Sequence, residues 1–318
     1  MGQIISFLVQ ESGMSEYSIR KILATAPERY KEYRIPKKSG GYRDIAQPAK
    51  ELKILQRGFA NNFLMKLPIH HTAMAYRHKQ GIRDNAQRHA GFGQILKIDF
   101  KGFFPSIRVE DWRSYCAATG FLIEAEDIDL SSLLLFHRAR GTRGLRLAIG
   151  APSSPILSNI LMYEFDQRVS EIVAQDKVIY TRYADDLTFS APRTGYLLDV
   201  KKNVSKILDE LQFPRLEINH KKTTHVTTKY HRVVTGLTLA NDGRVTVGRE
   251  RKRLIRATIH AYIQGRLVAE DVGRLAGLIA FVKSAEPEYF GLLKHQYTPE
   301  KIIEILKWSS GTLNLFDD

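Results

Sequence analysis

The chain has 318 residues, 43% of them hydrophobic and 26% charged, a composition that supports a sizeable core and excludes disorder as the default state. Its formal net charge is +14 and its pI about 9.7, so a polyanion such as nucleic acid suits it better than an acidic metabolite. Cys116 is the only cysteine, which excludes an internal disulfide and a cysteine-rich zinc module; no apolar run approaches the ~20 residues that span a bilayer, so no membrane partner is expected and the location is cytoplasmic.

In chain order, residues 1 to 30 read as helical, and Tyr33 to Gln47 as a hairpin turning at Lys38-Ser39-Gly40-Gly41. A helix follows from Ala49 to about Leu67. Gln94 to Phe100 is an apolar strand carrying Asp99 near its end, and Ile156 to Val173 reads as one helix launched after Pro152 and Pro155. Val178 to Ser190 is β-rich, with the adjacent acids Asp185 and Asp186 placed for a hairpin bend. Lys201 to Gln212 is an amphipathic helix, and Glu217 to Asn219 and Val233 to Leu239 read as strands. From Gly248 the pattern is helical only. Arg249, Lys252, Arg253 and Arg256 fall at i, i+3, i+4 and i+7, a basic face, whereas Ile255, Ile259 and Tyr262 form a core-facing one. The order is α+β, without repeats or low-complexity linkers, and reads as one interlocked unit.

An isolated Asp-Asp pair is either a polar turn or half of a metal site. Asp99 changes the balance. Three acids at strand ends suffice to hold two divalent cations about 3.5–4 Å apart, the arrangement that polarises an attacking hydroxyl and stabilises a leaving oxygen at phosphorus.

These segments occur together and in order with others. They are the basic hairpin with Lys37, Lys38 and Arg43, the run Asp99 to Phe104, Gly150-Ala151-Pro152-Ser153-Ser154-Pro155, Tyr183-Ala184-Asp185-Asp186, and Ile218-Asn219-His220-Lys221-Lys222-Thr223. In this combination the chain resembles a reverse transcriptase. Asn85-Ala86-Gln87-Arg88-His89 is similar to the NAxxH element, and Val234-Thr235-Gly236 to the VTG element, of the bacterial retron type. One departure is visible: Ile149 stands where the family often has Gln, so a side-chain amide contact to the nucleotide is not carried over.

The resemblance implies a right-hand polymerase fold: N-terminal helices and fingers over 1–95, palm over 96–244 with an insertion at about 110–148, and a helical thumb over 245–318. It implies two Mg²⁺ ions, with Mn²⁺ as a substitute, on the catalytic Asp99, Asp185 and Asp186. Lys37, Lys38 and Arg43 would clamp the triphosphate, and Phe104 would lie under the sugar and exclude a 2′-hydroxyl, with Phe103 packing the core. Lys222 would give a proton to the leaving pyrophosphate, with Lys221 as its neighbouring competitor. Asn85, His89, Val234, Thr235 and Gly236 would contact RNA, although a buried His89 is equally expected from the residue type. The basic face of Arg249, Lys252, Arg253 and Arg256 would meet phosphates.

The implied function is RNA-directed DNA synthesis on a dedicated structured non-coding RNA. The product would be a branched RNA–DNA molecule (msDNA), made from dNTPs in partnership with a retron effector protein in anti-phage defence. The alternatives are a group II intron-like or diversity-generating reverse transcriptase and, from another class, a catalytically silent RNA-binding scaffold.

Overall fold

The computed structural model describes residues 2–37, 40–192 and 195–312, with side chains through 308. Lys38, expected at the hairpin turn, lies outside the described residues. In chain order the elements are α1 (Gln3–Ser12), α2 (Glu16–Ala24), β1 (Tyr30–Pro36), β2 (Tyr42–Pro48), α3 (Lys50–Asn62), α4 (Ile82–His89), β3 (Gln94–Asp99) and α5 (Phe103–Ser106). Then come α6 (Val109–Thr119), α7 (Ala125–Leu135), α8 (Ser154–Leu161), α9 (Tyr163–Ala174), β4 (Ile179–Tyr183), β5 (Asp186–Ala191) and α10 (Val200–Glu210). The last are β6 (Thr224–Val226), β7 (Val233–Val234), β8 (Leu237–Leu239), β9 (Val245–Thr246), α11 (Arg249–Ile263), α12 (Ala269–Ala285), α13 (Pro287–Tyr297) and α14 (Pro299–Thr312). The α+β expectation holds. The chain packs, however, as two compact units rather than one.

The first unit comprises Met1–Tyr76, Leu96–Phe189 and Gly195–Thr224. Its strands lie in the order β4–β5–β3. They are buried on nearly every residue, with Leu187, Phe189 and Ile98 fully so, as expected of strands covered on both faces. Beneath the end of β3, Phe100 stacks on Phe103 at 5.9 Å and meets Phe165 edge-on at 5.7 Å, which ties the strand end to α5 and α9. β1 and β2 form the expected hairpin, antiparallel from Tyr30 opposite Pro48 to Pro36 opposite Tyr42. Gly150 is required where the chain passes this hairpin: its φ is 122°, and a Cβ there would stand 2.9 Å from the Ala46 carbonyl oxygen.

Two expectations are corrected here. The helix expected over 156–173 is two, because Met162 leaves helical angles (φ −87°, ψ 2°) and separates α8 from α9. The strand expected over 217–219 reduces to one bridge, Ile218 opposite Phe100, flanked by Asn219 N–H to Asp99 O at 2.7 Å and Lys101 N–H to Glu217 O at 2.9 Å.

The second unit comprises Arg77–Ile95, Ser190–Thr194 and His225–Asp318. Ile255, Ile259, Leu275, Ile279, Val282, Leu293 and Ile302 make its core, with Ala86 of α4 and Val234 and Leu237 of the small sheet β7–β8–β9. The single strand expected over 233–239 is a hairpin instead. Thr235 (φ 46°) and Gly236 (φ 78°) both take left-handed angles, so the VTG element is a tight turn between β7 and β8 rather than a strand or a bulge.

Candidate active site

Asp185 occupies the β4–β5 turn and Asp186 opens β5; Ala184, at φ 58°, provides the left-handed residue that so short a connection needs. Asp99 ends β3 one strand away. The two acidic segments are tied by their backbones, since the Phe100 N–H donates to the Asp185 carbonyl at 3.2 Å. The sequence therefore places three carboxylates at the ends of neighbouring strands.

Asp185 and Asp186 are pushed toward neutrality. Burial, then the neighbouring Asp186 charge, pushes the Asp185 carboxyl up to about 6, with Asp99 adding to the shift. Burial also raises Asp186, against relief from the Lys97 cation. Asp99, 6% exposed, is held differently: Lys222 Nζ donates to its Oδ2 at 2.9 Å and Asn219 Nδ2 to its Oδ1 at 3.0 Å. Hydrogen bonding to Asp99 in turn raises the Lys222 ammonium, so it stays charged.

Among the described residues no three acidic, imidazole or thiol side chains stand as a ready-made metal cage. The donor set nevertheless fits a hard divalent cation: three carboxylates at strand ends, two of them short of counter-charge. On Asp99 such a cation would share the carboxylate with Lys222 and Asn219, which donate to its two oxygens.

Phe104 is half-buried, 5.4 Å from the Phe103 ring and 6.3 Å from the Tyr76 ring, while Phe103 is 3% exposed and packs inward as expected. On the hairpin, Lys37 and Arg43 are both exposed; burial, then Asp185, raises the Tyr76 phenol, with Arg43 opposing weakly. Next to Pro105 a cavity of about 460 Å³ runs between the β1–β2 hairpin and residues 137–149. Ile149 lines it and accepts the Ala46 N–H through its carbonyl at 2.9 Å, so this position contributes backbone and an apolar side chain only.

The residues expected to touch RNA lie in the second unit and fare unevenly. His89 is wholly buried, its Nδ1 2.7 Å from Ser190 Oγ, and burial pushes its imidazole down to about 3; it is a neutral core histidine rather than a surface contact. Val234 and Asn85 are likewise fully buried. Thr235 Oγ1 donates to the Ile82 carbonyl at 2.8 Å, which fixes the VTG turn against α4. Lys252 is also corrected: it pairs with Glu286 at 2.5 Å and lies over the Tyr289 ring, so its charge is spent inside the unit. Arg249, Arg253 and Arg256 are exposed on α11 as expected.

Three residues were missed from sequence. Arg182 and Asp166, both at 0% exposure, form an ion pair at 2.6 Å, and Arg182 Nη1 also donates to Asn159 Oδ1 and to the Ala184 carbonyl inside the acidic turn. Tyr76 faces Phe104. Only the unusual Arg within an apolar strand, Ile179 to Arg182, could have signalled the first pair.

Residues 35–257 match the family described as reverse transcriptase (RNA-dependent DNA polymerase). The retron Ec83 reverse transcriptase of Escherichia coli is 36% identical over 89% of this chain and 91% of its own. The Ec73 enzyme of the same organism is 33% identical over 91% and 92%, and the Ec86 enzyme 31% over 86% and 82%. Among solved structures, telomerase from Candida albicans aligns over 96% of this chain and 66% of its own, at 15% identity and a TM-score of 0.48. No helix among the described residues is long and apolar enough to cross a membrane. With its acidic hairpin, its strand-end Asp99, the family match and these retron relatives, the chain belongs to the reverse transcriptases, and within them to the retron type: it is an RNA-directed DNA polymerase.

Proposed function

We propose that this polymerase copies a dedicated structured RNA into a branched RNA–DNA product (msDNA) in the cytoplasm, alongside an effector protein in anti-phage defence. The observation that carries the catalytic part is the placement of Asp99, Asp185 and Asp186 at the ends of adjoining strands, joined through the Phe100–Asp185 backbone bond. Fingers, palm and thumb are assigned to 1–95, 96–244 and 245–318, with the 110–148 insertion in the palm.

Asp99, Asp185 and Asp186 would hold two Mg²⁺ ions, or Mn²⁺, which when bound activate the attacking hydroxyl and stabilise the leaving oxygen. The protein supplies the rest. Lys37, Lys38 and Arg43 bind the triphosphate, Arg as a fork and Lys as point charges. Phe104 leaves no room for a 2′-hydroxyl, which selects deoxynucleotides. Lys222 holds a proton at Nζ and delivers it to the departing pyrophosphate once it has left Asp99. Arg249, Arg253 and Arg256 meet nucleic-acid phosphates, and the turn at Thr235 and Gly236 presents the RNA-recognition surface with α4 behind it. Asn85, His89 and Val234 support that surface from inside rather than touching RNA.

Expression of the gene with its native flanking DNA, followed by extraction of the protein-bound nucleic acid, tests the retron reading. A small DNA joined covalently to RNA and released by a debranching nuclease is expected. Recovery of unbranched, unrelated RNA alone would contradict it.

A further inference from the structure

Tyr76 is held in place with more care than a surface tyrosine needs. The segment before it runs along Arg182: the Met74 N–H donates to the Arg182 carbonyl and the Arg182 N–H to the Thr72 carbonyl, both at 2.8 Å. Asn159 Nδ2 then grips the Ala75 carbonyl at 2.9 Å. Ala73, Met74 and Ala75 are buried at 0%, 2% and 0%, after which Tyr76 emerges at 48% exposure. It does so at φ 61°, a left-handed angle that is an outlier for a bulky residue and that any glycine would adopt freely. Strain of this kind persists where the surroundings over-determine it, and it concentrates at functional sites.

The side chain emerges among groups already assigned to the reaction. Its ring centroid is 6.3 Å from that of Phe104, tilted by 55°. Asp185 and Arg43 are both near enough to act on its phenol. No described protein group hydrogen-bonds its hydroxyl. Burial, then Asp185, raises the phenol above its ordinary range, so it remains a proton donor at working pH. A tyrosine that only packed on Phe104 would need no hydroxyl. Ile149, moreover, leaves the nucleotide side without a side-chain amide.

Resting on the polymerase reading, we infer that Tyr76 is a substrate-contacting residue: its ring walls the incoming deoxynucleotide's sugar opposite Phe104, and its hydroxyl donates a hydrogen bond to that nucleotide. Sugar selection is then made by two rings rather than one.

Steady-state extension of a DNA primer on an RNA template, with dNTP and rNTP titrated separately, tests this on Tyr76→Phe and Tyr76→Ala. Wild-type extension comes first, and its absence would count against the polymerase reading instead. Tyr76→Phe is expected to raise KM for dNTP about 3- to 10-fold, the loss of one neutral hydrogen bond, with kcat falling by less than KM rises. Tyr76→Ala is expected also to narrow the dNTP/rNTP preference, as removal of a pocket wall should. A KM for Tyr76→Phe equal to wild type overturns the hydroxyl contact, and unchanged sugar preference in Tyr76→Ala overturns the wall. Tyr76→Phe keeps every ring contact, so its result stands even if Tyr76→Ala fails to fold.

Discussion

Arg182 Nη2 lies 2.6 Å from Asp166 Oδ2 with both side chains at 0% exposure, and the same guanidinium reaches the Ala184 carbonyl at 3.3 Å. A buried charge pair thus sets the angle of the turn that carries Asp185. Asp166→Ala would leave a cation buried without its counter-ion, which costs about 3–5 kcal/mol. The expected outcome is a melting temperature lower by on the order of 10 °C. The double variant Arg182→Met/Asp166→Leu, with no stranded charge, is expected to recover most of that loss. It is not expected to recover full primer extension, because the turn loses its tether. Thermal denaturation and extension assays on the same preparations check both halves.

Lys222 is both the partner of Asp99 and the proton source assigned to pyrophosphate departure. Lys222→Ala is expected to lower the rate of primer extension about 10²- to 10⁴-fold, the usual range for loss of a general acid. Lys222→Arg retains the charge but holds its proton too tightly to deliver it, and is expected to bind dNTP with near-normal affinity while remaining slow. Lys221→Ala, the neighbouring competitor, is expected to stay close to wild type, well short of that loss. Single-turnover rates at saturating dNTP separate these cases.

His89 makes stability depend on pH. In the folded chain it stays neutral down to about 3, whereas an unfolded histidine takes a proton near 6.5. Below pH 6.5 the unfolded state therefore binds the extra proton, so the contribution is complete above 6.5 and is lost as the pH falls toward 3. The loss from this one group is about 1.4 kcal/mol per pH unit. Asp185, raised to about 6, works in the opposite direction, gaining stability as the pH falls below that value. His89→Gln should remove the first term only. Denaturant melts at pH 7 and pH 5 are expected to show a shallower pH loss in the variant than in wild type; parallel losses would show that His89 does not carry it.

Much of the catalytic end was legible because polymerase chemistry uses residue types in fixed local settings. An apolar strand ending in Asp99 and an acidic bend at Asp185 and Asp186 each announce themselves over a few residues. The basic helix was half legible. Its periodicity gave the face, but Lys252 turned out to be paired with Glu286, a partner 34 residues away that periodicity cannot supply. Asn85 and His89 show the same limit. Their polar side chains suggested RNA contact, whereas α4 lies against β7, β8 and β9 and turns them inward. Tyr76 was invisible for a different reason: its placement depends on the Arg182 and Asn159 bonds and on a backbone angle that no residue pattern encodes.

The most direct test of the catalytic assignment is label incorporation from dNTPs and Mg²⁺ on an RNA template with a DNA primer, comparing wild type with Asp185→Asn. Asp185→Asn relieves a buried, uncompensated carboxylate and is expected to melt no lower than wild type. Wild type is expected to extend the primer and the variant to fall to background. Extension by Asp185→Asn at the wild-type rate, or none by wild type where a control polymerase works, would contradict the role assigned to the three aspartates.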